Sequence, residues 1–298
     1  MEMLKSCNLC PRACNIDRNT ALGVCQVSAK VKVARAALHF WEEPCISGTN
    51  GSGAVFFSGC SLHCVFCQNE EISHGKVGQE ITIDELAGLY MDLQNQGANN
   101  INLVTGTHYI PQIVESVTIA REKGLNIPII YNTSGYETVE SLRLLEGIVN
   151  TYLPDFKYMD NSLALKYSHA KDYPDVAKEA IAEMVRQCGK PQFDNNGFIK
   201  SGVIVRQLLL PGHVKDAKNI VKYLYETFGD RIYISMMSQY TPMPHIASRY
   251  PELNRRVTKR EYDSVINYAI DLGVENAFIQ DRAVAKESFI PEFNNFLD

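Results

Sequence analysis

Little in this chain of 298 residues suits a membrane or a nucleic acid. No apolar run approaches the roughly 20 residues of a membrane span. The opening residues, Met1-Glu2-Met3-Leu4-Lys5-Ser6-Cys7, carry no apolar stretch of a secretory signal, so a cytoplasmic location is expected. The formal net charge is −5, which leaves no basic excess to hold a polyanion. There is one Trp and no repeat or low-complexity tract. Cysteine is scarce beyond residue 67, where Cys188 alone remains of nine. In a reducing compartment such thiols are better metal ligands than disulfide partners. Their crowding at one end places the metal chemistry there.

The run Ser58-Gly59-Cys60-Ser61-Leu62-His63-Cys64-Val65-Phe66-Cys67-Gln68-Asn69 lacks a fourth cysteine. Its spacing is C-x3-C-x2-C, after an apolar run Ala54-Val55-Phe56-Phe57 that reads as a strand. A cubane iron–sulfur cluster normally takes four thiolates. Three leave one iron open to a ligand. A zinc loop or buried thiols would be the plain alternative, with His63 as a fourth ligand, although zinc sites usually recruit that ligand at regular spacing. The spacing, with Phe66 just before the third cysteine, resembles the signature of radical S-adenosylmethionine (SAM) enzymes. The resemblance implies a [4Fe–4S] cluster on Cys60, Cys64 and Cys67. SAM would chelate the open iron and be split by one electron into methionine and a 5′-deoxyadenosyl radical.

A second group, Cys7, Cys10, Cys14 and Cys25, is spaced C-x2-C-x3-C-x10-C. Four soft ligands in a stretch broken by Pro11 and Gly23 read as a structural metal site. Tetrahedral zinc or iron is one option and a second [4Fe–4S] cluster the other; reduced thiols are the plain alternative. Between the two groups lies His39-Phe40-Trp41-Glu42-Glu43-Pro44-Cys45-Ile46-Ser47-Gly48. It is expected either to cross a barrel mouth and line the substrate site or to pack as a linker. Two parts are expected: an irregular Cys-rich metal-binding segment over residues 1–50, and a core with a C-terminal extension over 51–298.

From Gly53 onward, apolar runs alternate with helical patterns. Strands are expected at 54–57, 101–104, 127–131, 151–156, 202–208 and 232–236, with one more near 277–280. Helices are expected near 82–96, 110–123, 137–147, 162–188, 215–228 and 258–272. Thr82 and Glu85 form a capping-box pattern. Alternating β-α units predict an α/β fold with a parallel sheet, curling into a partial (β/α)6 TIM-like barrel. In such barrels reactive groups sit at strand C-terminal ends. Here those ends carry Thr105-Gly106-Thr107-His108, Asn132-Thr133-Ser134-Gly135, Asp155-Phe156-Lys157, Arg206 and Gln239-Tyr240.

These segments, with the cysteine loop, resemble radical SAM proteins related to pyruvate formate-lyase activating enzyme, in particular the PflX-like branch. The resemblance covers nearly the whole chain. It implies a partial barrel in which Phe66, Thr105, Gly106, Thr107, Asn132, Ser134 and Gln239 hold SAM. Thr105-Gly106-Thr107 stands where the family usually has Gly-Gly-Glu, so the SAM ammonium would be held by hydroxyls or carbonyls. By the same carry-over Lys157 and Arg206 meet the SAM carboxylate, and Asp155 binds ribose, a cation or substrate. Asp155 and Lys157 also read as a structural pair, and His108 and His213 as ordinary loop histidines.

The expected protein is a cytoplasmic radical SAM oxidoreductase fed by flavodoxin or ferredoxin. Its expected target is a glycine Cα of a partner glycyl radical enzyme. A small molecule or another peptide is the first alternative, and a non-catalytic iron–sulfur or zinc scaffold the second.

Overall fold

The structure is a computed structural model that describes residues 2–280. Ten strands run in chain order: β1 Val31–His39, β2 Ser52–Phe57, β3 Gln79–Ile81, β4 Ile101–Val104, β5 Ile129–Thr133, β6 Thr151–Pro154, β7 Gln192–Phe193, β8 Ile199–Leu208, β9 Tyr233–Met237 and β10 Ala277–Ile279. The α-helices are α1 Pro44–Ser47, α2 Glu70–Ser73, α3 Ile83–Asn95, α4 Ile110–Glu122, α5 Val139–Arg143, α6 Asn161–Ser168, α7 Tyr173–Cys188, α8 Val214–Phe228, α9 Ile246–Arg249 and α10 Lys259–Leu272.

The sheet order is β10-β9-β8-β6-β5-β4-β2-β1-β3, with β7 beside β8. From β2 to β10 along that order neighbouring strands are parallel. The path is open at both ends, so this is a partial barrel of the expected α/β kind. Parallel strands covered on both faces read as continuous apolar runs, and every residue of β2 is buried. Helices α3 and α10 open on full capping boxes, Thr82 with Glu85 and Thr258 with Glu261. Each cap is worth about 1 kcal/mol. No helix of the described residues is long and apolar enough to cross a membrane.

The seven expected strands are present within a few residues, and three differences stand out. The stretch 1–50 is not irregular throughout, because β1 takes nine of its residues and pairs antiparallel with both β2 and β3. The single helix expected over 162–188 is two. His169 turns left-handed at the end of α6, and Pro174 sits in the first turn of α7, where its missing N–H costs nothing. The helix expected over 137–147 shrinks to α5.

β1 also fixes where residues 40–47 lie. His39 pairs with Ser52, the first residue of β2. Chain leaving β1 therefore reaches the N-terminal ends of the parallel strands. There Asn99 and Asn100, just before β4, donate to the carbonyls of Ser47 (2.7 Å) and Ile46 (2.9 Å). The segment closes the barrel floor and does not cross the mouth, where the cysteine loop lies.

Candidate active site

The Cys60–Cys67 loop leaves β2 at its C-terminal end. Gly59 has φ +91°, and a Cβ there would lie 2.6 Å from the Cys25 carbonyl oxygen. Only glycine suits both the conformation and the close approach. The loop is pinned by Val65 N–H to Tyr167 O (2.9 Å) and Cys67 N–H to Cys64 O (3.0 Å). Two donors point at its sulfurs: Leu62 N–H at Cys60 Sγ (3.4 Å) and Ser168 Oγ at Cys64 Sγ (2.9 Å). Hydrogen bonds to cluster sulfurs tune a cluster's potential. His63 does not line the cavity that the three thiols share, and its Nε2 pairs with Val24 O at 2.7 Å.

The three thiols share the wall of one cavity of about 540 Å³. Phe66, Thr105, Asn132, Ser134, Asp155, Lys157, Arg206 and Gln239 line the same cavity. Gly106 and Thr107 do not; Thr107 is buried behind the wall. The volume lies within the usual range for small-molecule sites. Burial raises the Cys64 thiol and pushes Cys67 up to about 12, so a metal must displace their protons. Among the described residues, no three His, Cys, Asp or Glu side chains are arranged around a single metal ion. A cubane takes one thiolate per iron, and three soft thiols beside an open cavity fit that demand.

In the wall of the same cavity, charges come in matched groups. Lys157 Nζ is paired with Asp155, and both are partly exposed to the cavity. Burial opposes the Lys157 charge, yet the Asp155 carboxylate holds its pKa well above the usual value. The buried Tyr173 hydroxyl donates to Ser134 O and Asp155 O, each at 2.8 Å, and accepts from Lys157 N–H at 3.0 Å. It thereby ties together the ends of β5 and β6. Gly135 is the hinge of that turn, with φ +74° and the Asp155 carbonyl 2.4 Å from where a Cβ would be.

Arg206 lies beside Asp155 on the neighbouring strand and faces two carboxylates. Its Nε and Nη2 reach the two oxygens of Glu43 at 2.9 and 2.5 Å, and Nη2 also bonds Glu42. Asn102 and Asn132 donate to Glu42 at 2.8 and 3.3 Å. Burial alone would raise Glu43, but the Arg206 guanidinium outweighs it and holds the carboxyl low. The guanidinium expected at the SAM carboxylate thus already faces two carboxylates from the barrel floor. The sequence signal was present: a charged residue within a buried strand needs a partner, and Glu42-Glu43 is an acidic pair in an otherwise apolar stretch.

Glu137 is the residue that sequence reasoning missed. It lies just beyond Gly135, is 1% exposed, and accepts hydrogen bonds from the hydroxyls of Thr107 (2.7 Å) and Thr133. Burial pushes its carboxyl up to about 7.

Cys14 and Cys25 come together at a separate spot, with Cys10 and Cys7 near enough to act on them electrostatically. A Cβ on Gly23 would lie 3.4 Å from Cys14 Sγ and 3.6 Å from Cys25 Sγ. Val24 N–H points at Cys14 Sγ at 3.5 Å. Burial, and then the nearby Cys25, Cys14 and Cys7, push Cys10 up to about 12. Two arginines dock this segment on the barrel. Arg12 donates to Ser61 O (2.8 Å), His169 O (2.6 Å) and Ser168 O (3.1 Å). Arg18, fully buried, donates to Ser28 O (2.5 Å) and His108 O and lies over the Tyr109 ring.

A partial parallel barrel that opens three thiols onto a cavity at its strand C-terminal ends has the architecture of an enzyme that binds SAM on an iron–sulfur cluster. The chain belongs to the radical SAM superfamily, whose family model matches residues 54–224, more than half of it. It is 28% identical over 278 residues to the uncharacterised protein MJ0674 of Methanocaldococcus jannaschii, covering 90% of this chain and 75% of that one. Among solved structures its fold is similar to a radical SAM methyltransferase from Sphaerobacter thermophilus (TM-score 0.53, 17% identity). It is also similar to Streptococcus suis SuiB bound to SAM (TM-score 0.50, 14% identity). These cover 77% and 74% of this chain, and this chain spans 66% and 48% of theirs. The protein is thus a radical SAM enzyme, and its family implies SAM and a [4Fe–4S] cluster.

Proposed function

We propose that this radical SAM enzyme takes a hydrogen from a glycine Cα of a partner protein, as an activating enzyme of a glycyl radical enzyme does. When bound and reduced, the cluster and SAM supply a 5′-deoxyadenosyl radical. Cys60, Cys64 and Cys67 hold the cluster, and Phe66 packs beside it. Lys157 holds the SAM carboxylate, since it keeps a single carboxylate partner at the cavity surface. Arg206 orders the floor through Glu42 and Glu43. Thr105, Asn132, Ser134 and Gln239 orient the rest of SAM, and Asp155 keeps Lys157 in place. The barrel walls exclude water from the radical.

The observation that carries the protein-substrate reading is an exposed apolar side chain where the strands end: Ile279, the last residue of β10, lines the cavity and is 53% exposed. Phe40 and Trp41, 47% and 58% exposed, line it from the floor. Large apolar side chains exposed where a cavity opens suit a docking polypeptide. The electron donor is a flavodoxin or a ferredoxin. The test is anaerobic incubation with SAM, reductant and a cell extract of the source. Electron paramagnetic resonance should show a glycyl radical on a captured partner. Deoxyadenosine release with no protein radical would refute this target.

A second reading, a small polar substrate, is favoured by Glu42, Glu43 and Arg206, which reach the cavity from the floor. Under it, deoxyadenosine release should depend on a low-molecular-weight fraction. In either case Lys157→Met should weaken SAM binding about tenfold to a hundredfold with cluster absorbance intact, the worth of a charge-assisted hydrogen bond. Unchanged affinity would remove Lys157 from the site.

We further propose that Cys7, Cys10, Cys14 and Cys25 bind one metal centre, either a single zinc or iron or a second iron–sulfur cluster, distinct from the SAM cluster. Its support is the approach of Cys14 and Cys25 beside Gly23, with Cys7 and Cys10 close by.

A further inference from the structure

The cavity must accept a ligand whose amino-acid end carries an ammonium as well as a carboxylate. Lys157 suits the carboxylate. The acids at the cavity surface are already committed, Asp155 to Lys157 and both Glu42 and Glu43 to Arg206. The wall formed by the ends of β4 and β5 presents Thr105, Thr133 and Ser134, all uncharged.

Behind that wall lies Glu137. One oxygen, Oε1, accepts both threonine hydroxyls, while Oε2 is buried with no partner. Burying a carboxyl without a counter-charge is costly, and a half-satisfied buried acid calls for an explanation. A second oddity sits beside it. Thr105 has φ +58°, a conformation rare for a β-branched residue and a mark of functional strain. Its N–H is held by Asn132 O at 2.8 Å, so the turn is fixed with its strain.

We infer that Glu137 is the counter-charge for the ammonium of SAM, acting from behind the wall through the Thr133 hydroxyl and the turn that carries Thr105 and Thr107. This rests on the radical SAM reading. Thr133 gives its proton to Glu137; its oxygen takes a long contact from Gly135 N–H at 3.4 Å and keeps a second lone pair to accept from the cavity side. A hydroxyl that donates to a carboxylate becomes a stronger acceptor. Glu137 is therefore a positioning residue. The plain alternative is a buried acid that only pins Thr107 to Thr133.

The two roles separate on a ligand pair: SAM, and the same molecule with hydrogen in place of its amino group. Binding is measured by calorimetry on the cluster-reconstituted protein. The wild type should prefer SAM. In Glu137→Gln, which keeps shape and hydrogen bonding but removes charge, SAM affinity should fall about tenfold or more. Affinity for the deaminated ligand should hold, so the preference collapses. Thr133→Val cuts the relay and leaves the acid; it should lose part of the same preference, and it decides the matter if Glu137→Gln takes up no cluster. An equal fall for both ligands, or an unchanged preference, would overturn the inference. Failure of the wild type to bind either ligand would overturn the SAM site itself.

Discussion

The two cysteine groups differ in what surrounds them. Cys60, Cys64 and Cys67 open onto a cavity that also carries charged and polar groups. In the N-terminal group the chain itself closes in, with Gly23 against the Cys14 and Cys25 sulfurs, Val24 N–H on Cys14, and the segment fastened by Arg12 and Arg18. Three thiols facing space can do chemistry; thiols covered by their own chain suit the structural role proposed for them. Yet the two touch, since the Cys25 carbonyl lies against Gly59, the residue before Cys60.

The largest effect should come from the open group. Any of Cys60→Ala, Cys64→Ala or Cys67→Ala should abolish deoxyadenosine formation, and full SAM cleavage by one of them would break the contrast at once. The triple variant should still hold the N-terminal metal, read by elemental analysis: one zinc or iron for a single-ion centre, about four irons with sulfide for a cubane.

Cys10→Ala should do the reverse. The barrel cluster should remain, while the N-terminal segment loosens and stability falls by several kcal/mol, because metal binding of this kind is coupled to folding. A melting temperature unchanged from wild type would show that no structural metal is held there.

The pH response of the metal-free protein near neutrality belongs to carboxyls and not to Cys10 or Cys67. Burial pushes Cys10 and Cys67 up to about 12, whereas Glu137 is pushed up to about 7. A carboxyl raised in the folded state binds its proton more tightly there than in the unfolded chain. Stability is then full below its unfolded value near 4.3 and is lost as pH rises to about 7, by roughly 3 kcal/mol. Glu137→Gln should remove that share of the slope in denaturant titrations, leaving the share of Asp216, raised to about 6 by burial. A slope that survives intact would mean the acid stays ionised in the fold.

The smallest effect belongs to the fastening. Arg12→Met removes charge-assisted hydrogen bonds to Ser61, Ser168 and His169. Stability should drop by about 1.5–3 kcal/mol, and limited proteolysis should cut first before residue 30. Protease resistance equal to wild type would show that Arg18 alone holds the segment.

The parallel strands were legible because each is a short apolar run ending in polar residues, as Ile101–Val104 is before Thr105. The cysteine loop was legible from spacing alone. β1 was not, because Ala34, Ala36 and Ala37 dilute the alternation of Val31 and Val33 into a pattern that no period favours. Without β1 the direction of residues 40–47 stays open, so Glu42 and Glu43 read equally as part of a segment across the mouth or of a packed linker. Glu137 escaped notice because its two partners, Thr107 in the turn after β4 and Thr133 at the end of β5, meet only in the fold, and spacing along one chain does not show that meeting.

The Arg12 clasp also bears on how the chain is made. Its donors lie 156 and 157 residues ahead of two of the carbonyls they reach. At about 5–20 residues per second, the first cysteines wait roughly eight to thirty seconds after synthesis before their landing site exists. Through that interval the N-terminal thiols stand clear of the barrel, open to a carrier of the metal proposed for them. Loading at this end would then precede assembly of the barrel, and the segment would arrive at its berth already charged.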